Sequence, residues 1–157
     1  FIIAAYGQNV YNRYLGIAKA KYAQIYTQDD DCIVDPMPLI SAYEKGVIVN
    51  NMKPERIYDY PGDITLIGWG AVFDKDLTLV LEKFKKDELF FRECDRIFTG
   101  MNKHKTVFFE ITDLPQATDD TRLFQQKGHW VSLNKVKKRI LMKKSLLTFM
   151  NYFKYNK

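Results

Sequence analysis

Short apolar runs alternate with stretches in which apolar residues recur every three or four positions, a pattern that interleaves strands with helices. Phe1–Ala5, with β-branched Ile2 and Ile3, predicts a strand closed by a turn at Tyr6-Gly7-Gln8-Asn9. Val10, Tyr14, Ile17, Ala18 and Tyr22 then predict an amphipathic helix, and Ala23–Gln28 a strand that delivers Asp29-Asp30-Asp31 at its end. Asp35-Pro36 starts a short helix facing the core with Leu39, Ile40 and Tyr43 and stopped by Gly46. Val47–Asn51 reads as a buried strand, and the polar stretch with Pro54, Pro61 and Gly62 as a loop. Ile64–Ile67 leads into Gly68-Trp69-Gly70-Ala71, where glycines allow close backbone approach. Residues 76–86 and 87–98 predict two helices, the second presenting Leu89, Phe90, Ile97 and Phe98 to a core. Thr106–Ile111 is a predicted strand, 112–121 a polar loop, and Thr121–Lys127 a short helix ended by Gly128. Val136, Ile140, Leu147 and Met150 stripe a Lys-rich helix within 133–157.

A chain of 157 residues is long enough for one domain with its own core, and 46% hydrophobic with 27% charged residues is neither a disordered nor a membrane-spanning composition. The opening at Phe1, without an initiator Met, suggests an excised piece; the first residues lack the form of a signal peptide, and no apolar run has transmembrane length. A cytoplasmic setting is the default expectation. Cys32 and Cys94 stand far apart without a CxxC, so free packed thiols are expected. Charge is unevenly placed. From Thr121 onward there are ten Lys or Arg and no acid, whereas the preceding residues hold 14 bases against all 19 acids. The tail could face phosphates, a membrane surface or an acidic partner, or simply be a solvated helix face.

The aspartate cluster is the strongest chemical signal. Like charges about 4 Å apart repel by of order 1–4 kcal/mol, and a hard divalent cation removes that cost. A solvated acidic turn or helix cap explains an isolated triple aspartate equally well. In open α/β sheets, however, ligands bind beyond the carboxyl ends of strands, which is where this cluster falls.

The run Tyr11-Asn12-Arg13-Tyr14 followed by Asp29-Asp30-Asp31-Cys32 resembles the donor half of GT-A-type glycosyltransferases. It is similar to the N-N-R-F…D-D-D pattern of exostosin-type transferases and to capsid glycosyltransferases of large algal viruses. The resemblance covers roughly Asn9 to Trp130 and implies an α/β fold of GT-A (Rossmann-like) type, a mixed, mostly parallel sheet flanked by helices. It implies a catalytic core over 1–132, its first strand and base-binding loop falling before Phe1, followed by the basic helix of 133–157. By that resemblance Asn12, Arg13, Asp29, Asp30, Gly70 and Ala71 contact the donor, and Asp29, Asp31 and His129 hold Mn²⁺ or Mg²⁺. Gly68-Trp69-Gly70-Ala71 matches the family's glycine loop. Arg92-Glu93-Cys94-Asp95 stands for its x-E-D element with one extra residue, making Asp95 the general base of an inverting reaction. Asp120, in Thr118-Asp119-Asp120, is the competing base, although it lies only nine residues before His129.

The implied activity is transfer of a sugar from a UDP- or GDP-sugar to a glycan or glycoprotein hydroxyl, with peripheral membrane contact through the tail as an option and no nucleic acid partner. Trp69 and Trp130 could stack on sugar faces or pack in the core, and His104 reads as a surface residue. Two other readings stand beside this one. A non-catalytic module could grip nucleic acid or membrane with its basic tail, and a two-metal phosphoryl transferase could use the same aspartates. No Walker loop, H-E-x-x-H or G-x-S-x-G is present in the sequence.

Overall fold

The computed structural model describes residues 9–59, 64–86 and 90–113. All belong to one compact unit, residues 1–119. The expected strand at Phe1–Ala5, the helices at Thr121–Lys127 and 133–157 and the boundary after residue 132 lie outside the described residues.

A 3-10 turn, Asn9–Tyr11, opens into helix α1 (Asn12–Lys19). There follow strands β1 (Gln24–Thr27) and β2 (Cys32–Ile33), helix α2 (Met37–Ser41), and strands β3 (Ile48–Asn51) and β4 (Ala71–Asp74). Helix α3 (Phe90–Met101) and strands β5 (His104–Val107) and β6 (Thr112–Asp113) complete the described chain. The main sheet has the order β1-β4-β3-β5, and β2 pairs with β6 in a separate ribbon. Strand β4 is antiparallel to both neighbours, and β3 is parallel to β5.

The protein is therefore mixed α/β, as the pattern predicted, but its described sheet is not mostly parallel. The reason lies in the connection from β3 to β4. Its described residues contain only a 3-10 helix, Pro54–Asp59, and no α-helix to carry the chain back across the sheet. The chain re-enters from the end it left, and β4 runs backwards.

Several elements moved from their predicted places. The face of α1 that is buried carries Tyr11, Tyr14 and Ile17, whereas Tyr22 lies past the helix end and is 71% exposed. The predicted helix at 76–86 is a ten-residue 3-10 helix, Lys75–Phe84, whose buried Leu81 and Phe84 keep the three-residue repeat of that geometry. Ile64 and Ile67 are buried, yet their segment forms no ladder, and the Thr65 N–H donates to Thr99 Oγ1 on α3 at 3.3 Å. Of the strand predicted over 106–111 only Thr106 and Val107 lie in β5, residues 108–111 carry no regular structure, and Thr112 and Asp113 are strand rather than loop.

Helix α3 holds α1 against the sheet through aromatic rings. Tyr11 meets Phe90 at 4.8 Å between centroids, Tyr14 meets Phe98 at 5.5 Å, and Phe98 meets Phe73 of β4 at 4.9 Å. Each such pair contributes about 0.5–1.5 kcal/mol beyond burial. This packing fixes the residues beside Tyr14 and Phe98, namely Arg13 and Asp95.

Candidate functional site

Strands β1, β3 and β5 point the same way, so their carboxyl ends share one edge of the sheet with the amino end of β4. Thr27 is opposite Ala71, and Asn50 is opposite both Ala71 and Thr106. The chain leaving β1 consequently brings the aspartates beside the glycine turn that enters β4. The Asp29 N–H donates to the Gly68 carbonyl at 2.7 Å. The Cys32 thiol lies 3.6 Å from that carbonyl and 3.8 Å from the carbonyl of Asp29.

Arg13 links this turn to α3. Its Nη2 donates to Asp29 Oδ1, and its Nη1 lies 3.5 Å from Asp95 Oδ2. Tyr14 Oη donates to Asp95 Oδ1 at 2.8 Å. Two carboxylates, drawn from regions 66 residues apart in sequence, thus share one guanidinium. Burial disfavours the charged guanidinium, but Asp95 and then Asp29 outweigh it and hold Arg13 firmly protonated. Burial pushes the Asp95 carboxyl above its ordinary value, and Arg13 and the Tyr14 hydroxyl only partly offset this. The Tyr14 phenol is raised by burial and by Asp95, which keeps it a proton donor.

This chain of groups does not exhaust its hydrogen-bonding capacity. Arg13 Nη1 and Asn12 Oδ1 are buried and make no hydrogen bond. Buried polar atoms are satisfied in the great majority of cases, so a donor and an acceptor left over on adjacent residues mark a place where a polar ligand would fit.

No family model, no curated protein and no solved structure matches this chain.

The metal expectation rests on chemistry in the described region alone. Among the described residues, no group of three or more His, Cys, Asp or Glu side chains is arranged to hold a metal ion. Asp29 and Asp31 are nevertheless two hard carboxylates, as many as Mg²⁺ commonly takes from a protein when water and phosphate complete its shell. His129, Asp120 and Trp130 lie outside the described residues.

The other predicted residues divide clearly. Arg13, Asp29 and Asp95 come together, Asn12 precedes Arg13 at the start of α1 with its Oδ1 buried, and Asp30 is exposed on the turn that holds Asp29. Gly70 and Ala71 are buried in the fold. Gly70 has φ of 93°, and a Cβ there would meet Val34 at 2.9 Å and Leu39 at 3.0 Å, whereas Ala71 is fully buried between β1 and β3. Trp69 packs on the core cluster of Cys32, Val34 and Leu39, with Lys53 5.2 Å and Arg56 5.8 Å from its ring centre. His104 is half-buried within β5 rather than on the surface. Both cysteines are buried free thiols, and burial first raises each pKa, so they serve packing as expected.

Tyr14 and Glu93 entered the sequence reading as members of quoted motif runs, without a chemical role of their own. The structure adds the hydrogen bond from Tyr14 to Asp95 and pairs Glu93, 1% exposed, with Arg96 one turn along α3. Among the described residues no helix is long and apolar enough to cross a membrane.

Proposed function

We propose that the chain is a metal-dependent glycosyltransferase of GT-A type that moves a sugar from a UDP- or GDP-sugar to a hydroxyl of a glycan or glycoprotein. The observation that carries this reading is the Asp29–Arg13–Asp95 bridge. It joins three of the segments on which the family resemblance rests, at the sheet end where α/β proteins bind ligands. Segments distant in sequence meet at one point, as a shared site requires.

In this reading Arg13 and Asn12 take the donor phosphates and sugar with the hydrogen-bonding atoms they have to spare. Asp29 and Asp31 would hold Mn²⁺ or Mg²⁺, whose charge would offset that of a departing diphosphate. Asp95 accepts the acceptor hydroxyl proton, and its raised pKa favours that role near neutrality. Tyr14 orients the Asp95 carboxylate through Oδ1, leaving Oδ2 toward Arg13.

Calorimetric titration of UDP- and GDP-sugars with Mn²⁺ tests it. Binding of one nucleotide class that needs Mn²⁺, and that disappears in Asp29→Ala/Asp31→Ala, is the expected result. Failure of every nucleotide sugar to bind in the presence of the metal, or binding indifferent to both metal and aspartates, would overturn the assignment.

A further inference from the structure

The carboxylate of Asp29 occupies space that any other residue at position 68 would claim. A Cβ on Gly68 would fall on Asp29 Oδ2, 2.7 Å from its Cγ and 3.3 Å from Oδ1. Real Cβ atoms do not approach so closely, and the three atoms nearest to that position all belong to Asp29. Gly68 needs no left-handed backbone, unlike Gly70 with its φ of 93°. Its lack of a side chain is therefore required by Asp29 and not by the turn. The two main chains are fastened at the same point by the 2.7 Å bond from the Asp29 N–H to the Gly68 carbonyl, with the Cys32 thiol against both carbonyls. With the backbone held in this way, the carboxylate that meets Arg13 through Oδ1 lies with Oδ2 against the Gly68 Cα.

We infer that Gly68 is a positioning residue, whose bare Cα seats the Asp29 carboxylate against Arg13 and so determines whether Asp29 and Asp95 share one guanidinium. A side chain at 68 would turn the carboxylate off Arg13 and leave the guanidinium to Asp95 alone. The consequence for donor binding rests on the proposed function; the seating itself does not.

A double-mutant cycle separates the two. Gly68→Ala should lower the thermal midpoint by a few degrees, about 3 °C or more, in the otherwise unchanged protein. In an Asp29→Ala background, where all three crowding atoms are gone, the same substitution should cost less than about a third of that shift. The ¹⁵N–¹H signal of the Arg13 side chain should move in Gly68→Ala toward its position in Asp29→Ala. If Gly68→Ala fails to fold, restoration of folding by Asp29→Ala supports the seat, and failure in both backgrounds overturns it. Equal losses in both backgrounds, no loss in either, or an unmoved Arg13 signal would also overturn it. A positive cycle in a protein that binds no nucleotide sugar would keep the seat and remove the glycosyltransferase reading.

Discussion

The two ends of the main sheet each hold an aspartate, and they treat it in opposite ways. At the end where β1 begins, Asp74 accepts from Tyr43 Oη and from the Gly46 N–H, each at 2.6 Å. Those donors, the hydroxyl first, depress its pKa, and the carboxylate is content where it is. At the end where β1 finishes, Asp29 and Asp95 divide one guanidinium, Asp30 and Asp31 add further negative charge, and burial raises Asp95. Neutral hydrogen bonds complete the first end. The second divides one guanidinium between two carboxylates and keeps buried polar atoms without a hydrogen bond.

The largest effect should come from removing the shared cation. Arg13→Met leaves two carboxylates facing each other's field without a counter-charge, and about 2–3 kcal/mol of unfolding free energy should be lost in urea titrations. That is below the full cost of breaking a buried pair, because Asp29 is 39% exposed. Each end also carries a glycine with positive φ, and the two should separate next. Gly70→Ala combines backbone strain with contacts to Val34 and Leu39 and should cost about 2 kcal/mol or more; Gly46→Ala meets nothing within 4 Å and should cost about 1 kcal/mol, the backbone share alone. Thermal denaturation of the pair measures the difference, and equal losses would show that crowding at the site end is relieved at no cost.

The smallest effect is in the titrations. Carboxyl NMR should find Asp74 below, and Asp95 above, the ordinary aspartate value. Asp74, depressed in the native state, supports folding fully above its unfolded pKa, and that support fades as pH falls through the native value. Asp95 behaves inversely, since its contribution is greatest in acid and declines as pH rises from the unfolded to the native value. Asp74→Asn should therefore lose stability near neutrality and progressively less as pH falls through the native value, and a loss that stays undiminished in acid would contradict the assignment.

How much of this was legible beforehand follows physical lines. Strands β1 and β3, the start of helix α2 with its buried Leu39, and the inward Phe90, Ile97 and Phe98 of α3 were readable from their apolar runs and spacing, whereas Ile40, also expected to face the core, is 50% exposed and Tyr43 lies past the end of α2. The backward run of β4 was not, since strand direction depends on where a connection re-enters the sheet. The 3-10 geometry of Lys75–Phe84 escaped because apolar residues three positions apart, as Leu81 and Phe84 are, suit an α-helical face as well. At the site, Arg13, Asp29 and Asp95 were named from motif likeness, and their meeting is a property of packing. Gly70 and Ala71 were named for the ligand and lie in the fold, while neighbouring Gly68 lies against the aspartate. No single-sequence signal distinguishes two glycines one residue apart.

Cys32 and Cys94 give this molecule a pair of built-in clocks. Cys32, 2% exposed, is lodged in the aspartate turn, and Cys94, fully buried, sits beside Asp95 on α3. Neither thiol can meet a reagent until its own neighbourhood opens, so their labelling rates time two separate breathing motions in one sample. A ligand that gathers the turn should slow the first clock, and only one that also clamps the helix should slow the second.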